Sequence, residues 1–187
     1  MDRLLAFCRV TDRLLAVVAR ASGWLFLVTI VVIVFDVITR KIGYQLPELG
    51  SSRLQELEWH FAAMLFLGWI GYGVVRDTHV RIDVFTGHLA QARKDRIDLW
   101  GTALFAIPYG LLLVPLAYSF FEVSLLQLES SDAPNGLPAR FVVKGVMVAG
   151  FALILAGAIS MLFRKIVDVY GPPEMHSSQR GPAGTEL

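Results

Sequence analysis

Residues 56–85 read ELEWHFAAMLFLGWIGYGVVRDTHVRIDVF, a run that is apolar through its middle and crowded with Glu56, Glu58, His60, Arg76, Asp77, His79, Arg81 and Asp83 at its two ends. About 20 mostly apolar residues cross the roughly 30 Å hydrocarbon core of a bilayer, so the middle suits lipid. The charged borders pose the question of what they hold.

The rest of the chain extends the membrane reading. Of its 187 residues 55% are hydrophobic and 18% charged, and the mean hydropathy is +0.58, beyond the usual range of soluble domains. Four spans are predicted, at about residues 21–39, 54–75, 99–121 and 144–163. The first contains ASGWLFLVTIVVIVF, with Asp36 placed near the headgroups. The third is uncharged throughout, and its Pro108 and Pro115 are expected to kink it. The expected fold is an all-α membrane protein with four transmembrane helices.

Residues 1–20 do not read as a signal peptide, because arginines recur at 3, 9, 13 and 20 and no small-residue cleavage site follows the apolar core. At 100° per residue Arg9, Arg13 and Arg20 share one face and Leu4, Phe7, Leu14, Leu15 and Val18 the opposite one. That pattern predicts an interfacial amphipathic helix running into the first span. AQARKDRID, residues 90–98, predicts a short surface helix with Thr86 as its N-cap. Residues 166–187 hold too few apolar side chains to fold and are expected to form a disordered cytoplasmic tail.

Orientation follows from the basic residues. With both ends on one side, that side carries twelve of the 17 Lys and Arg: Arg3, Arg9, Arg13, Arg20, Arg76, Arg81, Arg93, Lys94, Arg96, Arg164, Lys165 and Arg180. Arg40, Lys41, Arg53, Arg140 and Lys144 fall on the other. Both termini are therefore predicted cytoplasmic.

Chemistry is sparse. A net charge of +1 with dispersed basic residues argues against nucleic acid, and the single cysteine, Cys8, excludes an intrachain disulfide. No Ser-His-Asp grouping, Gly-rich phosphate loop, metal-spaced cluster or buried carboxylate pair is visible, so no catalytic residue, cofactor or metal site is predicted. A membrane haem needs two axial ligands at similar depth. Only His60 falls inside a span, while His79, His88 and His176 belong to the other side, and His60 is expected to hydrogen-bond a neighbouring helix or the headgroups.

The ionisable border groups anchor and orient the second span in the plainer reading. RDTHVRID alternates charged and apolar residues, so a docking surface for another protein is the sharper one. Lys144, a cation in the first turn of a helix, opposes the helix dipole and calls for a carboxylate partner. Glu129, Glu122 and Asp36 are the candidates, in an ion pair tying the helices together. Gly68, Gly71, Gly73, Gly150, Ala152, Ala156 and Gly157 supply small surfaces for close helix packing.

The opening stretch resembles the second-span signature of the small membrane subunit of tripartite ATP-independent periplasmic (TRAP) transporters, the DctQ-like family. A Glu-rich start, a Phe-Leu-Gly core and an exit of the form Arg-x-x-His-Val-Arg-x-Asp are matched by Glu56, Glu58, Phe66, Leu67, Gly68, Arg76, His79, Val80, Arg81 and Asp83. ESSDAPNGLPARFVVKG resembles the outer loop leading into the family's last span, through Glu129, Ser131, Gly136, Leu137, Pro138 and Lys144, with Phe141 where a Trp is common.

The resemblance implies a noncatalytic subunit of the bacterial inner membrane. It would bind a large multi-span transport subunit that takes up an organic acid or related solute with sodium, while a periplasmic solute-binding protein delivers the substrate. Glu56, Glu58, His60, Arg76, His79, Arg81, Asp83, Glu129 and Lys144 are then the candidate partner-interface or structural residues, with membrane lipid around the rest. The alternative from another class is a membrane anchor subunit of a respiratory enzyme; a homo-oligomeric scaffold or channel is a third.

Overall fold

The structure, a computed structural model, describes residues 2–44, 50–76, 88–133 and 135–172. Among them the ordered elements are helical. They are α1 (Asp2–Ile42), α2 (Ser51–Arg76), α3 (Gln91–Gly101), a π-helical turn (Thr102–Ala106), α4 (Ile107–Leu126) and α5 (Phe141–Tyr170). In hydrocarbon a backbone must satisfy its own polar groups, which a helix does within one segment.

α1 runs unbroken for 41 residues, about 62 Å at 1.5 Å per residue. The N-terminal twenty residues and the first span are thus one helix, interrupted by no proline. It stops at Gly43, whose φ of +74° is a conformation open to glycine. Gly43 N–H then donates to Arg40 O at 3.3 Å and Tyr44 N–H to Thr39 O at 3.0 Å, closing the helix in a Schellman turn.

α3, the π-turn and α4 form another continuous helical run, Gln91–Leu126. The expected separate surface helix is therefore the first part of the third span's helix. It starts after Ala90 without a side-chain cap, and Thr86 lies outside the described residues. Ile107 N–H reaches back five residues to Thr102 O, so the turn ends just before Pro108, which has no N–H to give. Pro115 sits inside α4, where its carbonyl accepts from Ser119 Oγ at 3.1 Å.

Three of these helical runs are long and apolar enough to cross a membrane: Arg3–Ile42, Gln91–Leu126 and Phe141–Tyr170. α5 is the hub, touching α1, α2, α3 and α4, whereas α4 meets neither α1 nor α2 among the described residues.

The contacts are made through small residues, as suits helices whose association gains little from the hydrophobic effect in lipid. A Cβ on Gly157 would lie 2.8 Å from Gly71 O, and one on Gly71 would lie 2.8 Å from Leu153 O. The α2 and α5 backbones are therefore nearly in contact. Gly68 lies against Ser22 of α1 and Gly150 against Leu67 of α2. On α4 the buried positions Gly110, Ala117 and Ser124 recur every seven residues, and Gly110 seats Leu155 of α5. The expectation of glycine-mediated packing is met at positions 68, 71, 150 and 157, inside this chain.

Gly157→Ala is expected to force α2 and α5 apart and to cost about 1–3 kcal/mol, the usual penalty of overpacking. Thermal unfolding of the purified chain in mild detergent checks this. Gly101→Ala, whose Cβ would meet nothing within 4 Å, should leave the melting temperature unchanged or slightly raised.

Candidate functional site

The ionisable side chains gather at two levels of the bundle. α5 carries one level at each end: Lys144 and Arg140 near its start, Arg164 and Lys165 near its finish. Lys144 and Arg164 are 20 residues apart in the sequence, about 30 Å along a helix, which matches the hydrocarbon thickness of a bilayer.

The first level is built around the loop that joins α4 to α5. Two non-glycine residues in it have left-handed backbones, Leu128 at φ 48° and Ala139 at φ 61°. That conformation is unfavourable for side chains with a Cβ and persists where surrounding bonds impose it. Leu128 N–H donates to Leu125 O at 3.1 Å and Glu129 N–H to Ser124 O at 3.0 Å, while Arg140 N–H closes the far side on Glu129 O at 2.9 Å.

Glu56 of α2 holds the middle of that loop. One of its carboxylate oxygens accepts from Ser131 Oγ, and the other accepts from Leu137 N–H at 2.6 Å. Gly136 is required there by space, because a Cβ would sit 2.8 Å from Glu56 Oε1 and closer still to Ser131. Ser131 N–H pairs with Leu137 O at 3.1 Å. Glu56 is thus a latch between α2 and the α4–α5 loop.

Lys144 pairs with Glu129, one of its three expected partners. Its ammonium also stands 3.7 Å from the Phe120 ring centroid, a cation–π contact that further offsets its place at a helix start. The other two candidates do not meet it: Glu122 is exposed, and Asp36, 1% exposed, binds Arg40 and accepts from Ser51 Oγ at 3.1 Å. Asp36 therefore ties the end of α1 to the start of α2. Arg140 reaches Asp132 at 3.0 Å.

His60 is buried, and its Nδ1 donates to Glu56 O in its own helix at 2.5 Å. No bond from His60 to a neighbouring helix is seen among the described residues; its Nδ1 is taken up by the carbonyl four residues back, which lies within reach of a helical imidazole. Its ring stacks on Trp59 with centroids 3.8 Å apart. Glu58 has one buried carboxylate oxygen, Oε1, without a hydrogen-bond partner among the described residues. Arg76 folds back on its own helix, donating to Tyr72 Oη at 2.8 Å. His79, Arg81 and Asp83 lie outside the described residues.

The second level went unread in the sequence. Asp12 of α1 binds Arg164 of α5 and accepts from Ser160 Oγ at 3.0 Å. Cys8, about one turn before Asp12, donates its thiol to Ser160 O at 3.4 Å. Asp95 and Asp98 of α3 each lie 2.8 Å from Lys165. The only available signal was the three-residue spacing of Asp95 and Asp98, which places both on one helix face.

Two measurements test the first level. A hydrogen bond to a charged acceptor is worth about 1.5–3 kcal/mol, so Glu56→Ala should raise amide exchange at Leu137 by about tenfold or more. Glu129 is held below its ordinary pKa of 4.5, chiefly by the Lys144 hydrogen bond and also by the charges of Lys144 and Arg140. A lowered carboxylate pKa contributes stability that is complete above 4.5 and is lost as the pH falls through the folded-state value. Melting temperatures of Glu129→Gln should therefore lie below those of the unaltered chain at pH 7, with the difference narrowing below pH 4.5.

A family model described as tripartite ATP-independent periplasmic transporters, DctQ component, matches residues 29–168. No curated protein and no solved structure matches the chain. The matched region takes in α2, the latch loop and the α5 residues of both levels, while Asp12 and Cys8 precede it. With its apolar helices, the chain is a multi-pass membrane protein, and it belongs to the DctQ family, the small membrane component of TRAP transporters.

Proposed function

We propose that the chain is a noncatalytic subunit with four spans and both termini cytoplasmic in the bacterial inner membrane. There it scaffolds a large multi-span transport subunit for sodium-coupled symport of an organic acid or related solute. A periplasmic binding protein delivers that solute. The family supports this reading, and the observation that carries it further is the unshared apolar surface. Trp24, Val31 and Phe35 on α1 and Leu112, Leu116 and Phe120 on α4 are exposed, far more than a soluble monomer leaves open.

The fourth span would be α2. It is less apolar than the other three, but Glu56 and Arg76 are 20 residues apart, about 30 Å, the same interval that separates the two levels of α5. Residues 1–20 would then lie toward the cytoplasmic interface, with Phe7, Val10, Leu14 and Val17 left exposed by the bundle to face lipid. The expected tail start at residue 166 moves back, because α5 continues to Tyr170 with Val167 buried, and the residues after Tyr170 would form the cytoplasmic tail. A respiratory-enzyme anchor gains nothing from the family match.

In this reading the exit charges Arg81 and Asp83, with His79, serve as docking groups for the large subunit, as Glu58 does at the other border. Glu56, Glu129 and Lys144 have their partners within the chain and act structurally, and so do His60 and Arg76.

Mild-detergent purification of the tagged chain from its native membranes is expected to bring down a much larger many-span protein and no haem absorbance. Charge reversal at both Arg81 and Asp83 should reduce that recovery at unchanged expression. Recovery of the chain alone, or with a haem-bearing redox enzyme, would contradict the scaffold reading.

A further inference from the structure

The second ionic level has a groove beside it that its ion pairs do not fill. A space of about 610 Å³ is lined by Ile97, Gly101, Phe105, Tyr109 and Met161, among others. A second, of about 380 Å³, is bounded by Arg96, Trp100 and Leu104 and shares Ile97, Gly101 and Phe105 with the first. The two make one channel along the outer face of α3, the π-turn and α4. From Arg96 to Tyr109 is 13 residues, about 20 Å, longer than the roughly 15 Å of hydrocarbon that belongs to one leaflet.

The channel is graded. Arg96 stands at one end, where its aliphatic stem forms part of the wall, and Trp100, 58% exposed, one turn deeper, the order in which a headgroup and the interfacial aromatic belt are met. Beyond them the walls are apolar. Asp98 also borders the channel, but its carboxylate lies 2.8 Å from Lys165 Nζ, so its charge is balanced within the protein. Asp95 and Asp98 share the charge of Lys165, and Arg93 and Arg96 add positive charge on the same stretch of α3. An excess of positive charge beside an apolar slot complements a phosphate joined to an acyl chain.

The geometry points to a binding site for one anionic phospholipid, its acyl chain in the Gly101 channel and its phosphate on Arg96. The π-turn contributes to it, since a π-turn inserts an extra residue in the helix and such turns recur at functional sites. Gly101 opens the floor. A Cβ there would meet nothing within 4 Å, so the missing side chain answers no need of the fold. The site requires that α4 lie in lipid and is independent of whether the large subunit docks.

The test uses the full chain, delipidated in mild detergent and offered phosphatidylglycerol or phosphatidylethanolamine, with retained lipid counted by native mass spectrometry. The expected result is retention of phosphatidylglycerol over phosphatidylethanolamine by tenfold or more. Gly101→Leu should abolish retention of both at an unchanged melting temperature, and Arg96→Gln should remove the preference while keeping the binding. Equal retention of the two lipids by the unaltered chain, or retention untouched by Gly101→Leu, would overturn the proposal. So would a Gly101→Leu chain that keeps its lipid but no longer recovers a many-span partner, which would assign the channel to protein. A lost lipid with partner recovery intact separates this site from the scaffold reading.

Discussion

The structure depends on the approach of Gly71 and Gly157. α2 and α5 come so near that a single methyl on either glycine would press on a backbone carbonyl. In lipid, contact between two helices does not remove apolar surface from water, so association rests on dispersion and on how closely backbones can come. α5 meets every other helix, and it does so by giving up side-chain volume at Gly150 and Gly157 toward α2. Toward α4 the two helices recede in turn, α4 at Gly110 for Leu155 and α5 at Gly145 for Phe121. Removing volume at these points sets the spacing of the whole bundle.

Dispersion fixes distance but not register, because a small-residue groove tolerates sliding. The two ionic levels supply register. Asp12 with Arg164 and Ser160 aligns α1 against the end of α5, and Glu56 with Ser131 and Leu137 aligns α2 against the loop at its start. Their separation of about 30 Å places both levels where water and headgroups relieve the cost of burying charge. The crowded borders of residues 56–85 are one instance of this arrangement. Glu56 bonds across to another part of the chain, whereas Arg76 and His60 are satisfied within their own helix.

How much was legible in the sequence followed from the range of each interaction. Apolar length locates spans because it is a property of one segment, and α1, α4 and α5 satisfy it in the structure. Lys144 could be assigned a need for a carboxylate from its place in a first helical turn, and Glu129 could be named because it sits on the adjoining loop. Asp12 and Arg164 are 152 residues apart, and nothing local marks them as a pair. Arg164 reads as one of the basic residues that set orientation, and Asp12 carries no local signal. His60 shows the opposite case: the Nδ1 partner is local, the carbonyl four residues before it, and a sequence reading that looks across helices passes over it. Boundaries failed for a third reason. The charge pattern suggests a helix end at Asp98 and a span start at Leu99, but a backbone that satisfies its own hydrogen bonds continues through polar sequence, as α3 does.

The same continuity explains the asymmetry of the bundle. α1 and the α3–α4 run are both longer than a membrane is thick, so each carries its charged segment out of the hydrocarbon as rigid helix rather than as loop. In α1 that extension lies along α5 and is fastened by Asp12. In the other it is fastened by Lys165 to Asp95 and Asp98, and the π-turn and Pro108 fall just inside the fastening point. A helix pinned at its polar end and seated on α5 through Gly110, Ala117 and Ser124, with Phe121 against Gly145 and Phe120 against Lys144, has one face committed and another open. The open face of α4 carries the bulky Tyr109, Leu112 and Leu116. The division between a small-residue face turned inward and a large-residue face turned outward is what a subunit needs if its own fold must be complete while its outer surface stays available to lipid and to a larger membrane protein.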